Sequence, residues 1–218
     1  MSDTTPDWLE GAWVRSSRSI DDGPPDECSD VVWLQVGPWF ADLRLPRPGR
    51  CAAHAFDEAH AFSGRLAVLA DDGPGARVAW HHDLDTAAPA DGHAGDPDEA
   101  DVAVRDGVLI ESGDGYVEWW ARPAHRPDPS APGGAGLVLL HDMGFDDPFG
   151  ARVVCVEGMA VAVWDGPSPG GAWCSADTGW EPARVVGVPP AGLDIGGALR
   201  ARLDDGAPTD GWHDQEAR

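Results

Sequence analysis

Hydrophobic positions along this chain gather in short runs of Val, Leu, Trp and Phe, and each run breaks at Gly, Pro or Asp. That is the pattern of β-strands joined by turns. The clearest pair is 31–36 and 39–45, joined through Gly37-Pro38, which reads as a tight hairpin. A second hairpin repeats the plan at 152–156 and 159–164 around Glu157-Gly158. Between and beyond them, 63–70, 77–85, 102–110 (turning at Asp106-Gly107), 116–122, 137–141 and 172–175 complete the set. About ten strands are expected, more than an open sheet usually holds, so the pattern predicts an all-β chain closed into a single antiparallel barrel over 9–188. Residues 1–8 are expected as a flexible lead-in, 87–99 and 123–136 as surface loops. One short helix is expected within 191–203, followed by a disordered tail.

Strand periodicity also sorts side chains by face. Trp80, His82 and Leu84 fall on one face of their strand, and His81, Asp83 and Asp85 on the other. The apolar company of His82 places it inside, unless a bulge reverses the alternation. Tyr116, Glu118, Trp120 and Arg122 share a face, as do Trp33 with Gln35, and Phe40 with Asp42 and Arg44. Charged groups between Leu and Phe cost several kcal/mol if buried alone, so they are either exposed or paired in a polar lumen.

Composition narrows the chemistry. The 218 residues carry 28 Gly and 20 Pro, and all 15 basic residues are Arg, since Lys and Asn are both missing. Without Lys there is no Schiff-base nucleophile and no Walker-type phosphate loop, and without Asn no N-glycosylation acceptor. The composition fits a high-GC bacterial genome. A formal charge of −23 sets the surface against nucleic acid and anionic membrane, so neither is expected as a partner. No apolar run is long enough to span a bilayer and the first residues lack signal-peptide character, so a cytoplasmic protein is expected. The four cysteines (Cys28, Cys51, Cys155, Cys174) have no zinc-like spacing and are expected as reduced thiols, with Cys155 to Cys174 the disulfide to consider.

Motif tests mostly exclude. Gly166 to Gly170 matches G-x-S-x-G, but Pro169 lacks the N–H that an oxyanion hole requires after the serine, so the segment reads as a turn. No dinucleotide fingerprint and no H-E-x-x-H occurs, and His54 and His60 read as exposed loop histidines. No metal or cofactor is expected, and haem binding through a lumenal His has no supporting motif. What remains is a pocket. Trp33, Phe40, Trp80 and Trp120 would supply flat walls, and Arg15, Gln35, Asp42, Arg44 and Glu111 would orient a ligand. The competing structural reading makes the same residues an Arg–carboxylate network and an aromatic core.

The combination of Gly11-Ala12-Trp13-Val14-Arg15, Val32 to Gln35, Phe40 to Arg44, Trp80-His81 with Asp85, and Glu111-Ser112 followed by Tyr116 to Glu118, Trp120 and Arg122 resembles uncharacterised bacterial lipocalin-like (calycin-type) barrels. The resemblance implies one barrel enclosing a cavity, with Trp13 near its closed end. The expected function is binding of a small aromatic or amphipathic metabolite, with bacterial specialised metabolism as the expected setting. The alternative is a cofactor-independent acid–base enzyme (isomerase, cyclase or dehydratase). There His82 or Glu118 would be the base, Tyr116 an acid, and Arg122 or Arg44 would steady an oxyanion. A protein-interaction module using the acidic surface is the reading from a third class.

Overall fold

In a computed structural model of the chain, the structure describes residues 4–47, 59–71, 73–87, 98–124, 136–142, 150–165, 168–206 and 212–214. Eight strands close into an antiparallel barrel: β1 (Gly11–Ile20), β2 (Ser29–Val36), β3 (Trp39–Pro46), β4 (His60–Asp71), β5 (Gly75–Asp85), β6 (Asp98–Arg105), β7 (Val108–Gly113) and β8 (Tyr116–Ala121). They run in sequence order, and β8 returns to β1 with Ile20 opposite Tyr116 and Val14 opposite Ala121. The turns are those read from the sequence. Val36 faces Trp39 across Gly37-Pro38, and Asp106-Gly107 turns with both residues at positive φ (52° and 79°), as a two-residue hairpin demands.

The expectation of about ten barrel strands is corrected here. Closure is complete at β8, and the strands after it form a second, six-stranded sheet in the order β13-β12-β11-β10-β9-β14. Its members are β9 (Leu137–Asp142), β10 (Gly150–Val156), β11 (Met159–Trp164), β12 (Gly170–Ser175), β13 (Arg184–Val186) and β14 (Trp212–Asp214). Alternation within a strand does not encode where a sheet meets its own first strand, so both sheets read alike in one dimension.

The second sheet lies on the outside of the barrel. Val154, Val156, Met159, Val161 and Val163 pack against Val32, Leu34, Val36, Leu43 and Leu45. Gly171 permits the close approach: a Cβ there would lie 2.5 Å from that of Ala61. Arg152 adds a polar pin, donating to Asp83 at 2.7 Å and lying 4.6 Å from the Trp39 ring. On the far face, Val153, Cys155, Ala160, Ala162, Trp164 and Cys174 pack against Ile195, Ala198 and Leu199 of α1 (Ile195–Arg200). That helix starts at Asp194, whose carboxylate accepts from the Gly197 N–H at 2.7 Å.

Three smaller expectations are revised. In the expected flexible lead-in, Thr5 donates to the Gly37 carbonyl at 2.6 Å and is buried, so this stretch packs against the closed end of the barrel. In the expected disordered tail, 212–214 pairs with β9, anchored by Trp212 against His141 with ring centroids 4.9 Å apart. Cys155 and Cys174 are free and buried, whereas Cys28 is disulfide-bonded, against the expectation of reduced thiols throughout. Cys51, His54, Gly166, Pro167 and most of the two expected surface loops lie outside the described residues.

Candidate functional site

The barrel interior has two parts. Its lower part is solid: Leu9, Trp13, Trp33, Phe62, Leu66, Val78, Val102, Leu109 and Trp120 fill it as one buried apolar cluster. Trp33 sits between Trp80 and Trp120, edge to face with each at 5.7 Å. Among the described residues, the void bounded by Trp33, Phe40, Trp80 and Trp120 holds only about 10 Å³, room for about one water. Above this aromatic floor the lumen turns polar and opens into a mouth cleft of about 390 Å³. Arg44, Asp98 and Glu111 border both spaces.

The polar end is assembled by register. Glu111 and Glu118 are direct cross-strand partners on β7 and β8, so two carboxylates meet on one lumenal face. From β1, Arg15 reaches Glu118 at 2.5 Å and holds Glu27 through two nitrogens at 2.9 and 3.1 Å. It is 2 % exposed, and these carboxylates raise its pKa against the effect of burial. From β3, Arg44 donates to Asp42 at 3.0 Å, and Tyr116 donates to Glu111 at 2.8 Å. Burial first, then the negative charge of Glu118, pushes Glu111 up to about 8, so it holds its proton at neutral pH. Burial and the Glu111 and Asp98 charges push the Tyr116 phenol far above its ordinary value. Among the described residues three buried polar atoms of the site have no hydrogen-bond partner: Glu118 Oε2, Trp120 Nε1 and, on the neighbouring histidine, His82 Nε2.

Beside the cluster, His82 does face inward and His81 is exposed. The alternation then breaks at a bulge between Ser63 and Gly64, opposite 82–84. Beyond it Leu84 packs outward with the second-sheet core, while Asp85 comes to the side of His82. Asp85 bridges two histidines, with His60 Nε2 at 2.6 Å and His82 Nδ1 at 2.8 Å. Burial pushes its carboxyl up, but the hydrogen bonds from His60, His82 and the Ala87 N–H outweigh it and hold Asp85 well below the carboxylate range. His82 stacks on Phe62 with ring centroids 4.4 Å apart. His60, expected as an exposed loop residue, is thus a half-buried strand residue.

Of the residues singled out from the sequence, Arg15, Asp42, Arg44, Glu111, Tyr116 and Glu118 come together at the mouth, with Trp33, Phe40, Trp80 and Trp120 below and His82 at one side. Two do not join them. Arg122 lies at the opposite, closed end, its guanidinium 3.6 Å above the Trp13 ring and donating to the carbonyls of Trp8 and Ala12. Gln35 also sits low, accepting from Trp33 Nε1 at 3.1 Å and donating to the Gly37 carbonyl. Reasoning from strand faces missed Glu27, which lies in the β1–β2 connection where no periodicity operates, and Asp98, at the first position of β6.

A larger cleft, about 700 Å³, lies between the outer barrel wall and the second sheet, walled by Val14, Val32, Leu43, Leu45, Met159 and Trp173. Arg184 and Asp30 at its rim pair with each other, and its Arg15 is committed to glutamates, so it offers volume and apolar surface with its cations already matched. Among the described residues there is no group of three or more His, Cys, Asp or Glu arranged to hold a metal, and no helix long and apolar enough to cross a membrane.

No protein-family model and no curated protein matches the chain. A solved structure does: the uncharacterized protein YLR301w from Saccharomyces cerevisiae, with a TM-score of 0.62 over 94% of this chain and 97% of that one, at 12% identity. At that identity the likeness is one of fold, and the closed antiparallel barrel of this chain is consistent with a calycin-like form.

Proposed function

We propose that this chain is a lipocalin-like small-molecule-binding barrel whose ligand, a small aromatic or amphipathic metabolite, is taken at the polar mouth, above the aromatic floor. The observation that carries the reading is the buried Arg15–Glu118–Glu111–Arg44 cluster open to a cleft of about 390 Å³. A purely structural network has no need of an opening beside it, and a ligand site needs both an apolar wall and a few fixed polar groups. The packed lower lumen supports the mouth, rather than the barrel interior, as the place for a ligand. A surface of charge −23 supports a small molecule over nucleic acid or membrane as partner.

Native mass spectrometry of freshly purified protein, with its absorbance spectrum and tryptophan fluorescence, tests this. The expected result is a retained or titratable small molecule that quenches the floor tryptophans and is weakened by Glu118→Gln. An apo mass, with no fluorescence change across a panel of aromatic and amphipathic metabolites, overturns it.

One observation favours the enzymatic reading as second. Glu111 holds a proton beside the negative charge of Glu118, which is the division of roles that acid–base catalysis uses. Under that reading Glu111→Gln abolishes turnover of the bound molecule while its affinity survives. For compartment, alkylation of free thiols during extraction decides between a cytoplasmic chain with Cys28 reduced and one from an oxidising environment with Cys28 bridged.

A further inference from the structure

We propose that the ligand's head group is an organic ammonium, received between Glu118 and Glu111 at the base of the mouth cleft. This rests on the mouth reading and deepens it to a ligand class.

Charge matching at the mouth makes the case. Four carboxylates converge there in buried positions: Glu27, Asp42, Glu111 and Glu118. Among the described residues three arginines stand beside them: Arg15, engaged with Glu27 and Glu118, Arg44, engaged with Asp42, and Arg18, the cross-strand partner of Glu118 at the rim. Glu118 Oε2 is left as a buried acceptor with no donor, although the residue is 2 % exposed and lines the cleft. A buried acceptor in that state is costly and asks for a donor, preferably a charged one. Glu111 receives one hydrogen bond, from Tyr116. The rim adds Asp21, Asp98 and Asp114 against Arg18, so the approach is acidic as well. Within the cleft the apolar surface for a carbon skeleton comes from Ile20 and the Tyr116 ring, while Trp33, Trp80 and Trp120 close the space beneath it as a packed floor. An anionic ligand would meet more carboxylates than arginines on the cleft wall, where Asp21, Asp98, Glu111, Asp114 and Glu118 face Arg18 and Arg44.

With no cation present, Glu111 limits the excess charge by keeping its proton. An ammonium beside it removes that reason, so binding at neutral pH releases a proton from Glu111 to solvent.

The test is isothermal titration of the full chain with phenethylamine, its carboxylate counterpart hydrocinnamate, and neutral phenethyl alcohol. Each titration is run at about pH 7 in two buffers of different ionisation enthalpy. Phenethylamine is expected to bind with a Kd near or below about 1 mM, at least tenfold tighter than the alcohol, with hydrocinnamate not binding. Up to one proton is released per amine bound, and Glu111→Gln abolishes that release. Glu118→Gln weakens the amine about tenfold or more. Circular dichroism checks the fold of each variant, and the loss of proton release in Glu111→Gln stands as an independent readout should Glu118→Gln fail to fold. Equal or tighter binding of the alcohol or the carboxylate overturns the ammonium assignment and leaves the mouth reading intact. Amine binding indifferent to Glu118→Gln, as from the interlayer cleft, also overturns it. Silence from all three probes up to about 10 mM overturns the ammonium assignment, and the retained-ligand measurement then judges the mouth reading separately.

Discussion

Glu111 is the residue whose environment most changes its chemistry. Its folded pKa of about 8 lies above its ordinary 4.5, so between those values the folded chain keeps a proton that the unfolded chain has lost. Its contribution to stability is therefore complete below about pH 4.5 and declines as pH rises towards 8, at up to about 1.4 kcal/mol per pH unit. Urea denaturation across that range is expected to show the decline, and Glu111→Gln to flatten it; an unchanged slope in the variant refutes the assignment. Asp85 has the opposite sign, its stabilisation being present above 3.8 and lost as pH falls through its lowered value, so it leaves this window clear. The mouth residues were legible in the sequence because charged and aromatic side chains share strand faces there: Phe40, Asp42 and Arg44 on one, Glu118 and Trp120 on another. Glu27 was not, since its connection to Arg15 spans a loop with no period.

At the scale of the element, the bulge in β4–β5 decides which end of His82's strand faces the site. Gly64 makes it possible, because a Cβ there would sit 1.8 Å from the His81 carbonyl oxygen, which is backbone and cannot step aside. Gly64→Ala is expected to cost about 2–3 kcal/mol and to disturb the His60–Asp85–His82 bridge. Urea midpoints together with histidine NMR shifts check this, and a variant unchanged in both contradicts the account. Strict alternation put Asp85 on the face away from His82; a one-residue insertion reverses every side chain beyond it, and the sequence carries no mark of it except an unexplained glycine in a strand.

On the scale of the whole molecule, barrel and second sheet share one buried face. Val32, Leu34 and Leu43 from the barrel meet Val154, Val161 and Val163 from the sheet, and neither set has another cover. The two layers are therefore expected to unfold together. Near-ultraviolet dichroism, which reports the packed tryptophans of both layers, and far-ultraviolet dichroism should each show a single transition, with coincident denaturation curves. Separate transitions would show that each layer stands without the other. The shared face also explains the miscount of barrel strands. Residues Val31 to Val36 and Val153 to Val156 are buried on both sides, so neither stretch shows an outward polar face to tell a barrel wall from a covering sheet.

By itself the sequence determined the all-β class, most strand positions, the hairpin turns and the pairing of charge with aromatic surface along single strands. These follow from local rules, the two-residue period of a strand and the backbone needs of a turn. Tertiary structure alone decided where the barrel closes, which strands cover it, that Arg122 seals the closed end while Arg15 and Arg44 serve the open one, and that Glu118 meets Glu111. Each depends on contacts between residues far apart in the chain, such as Arg15 with Glu118, and no local period records a distance of that kind.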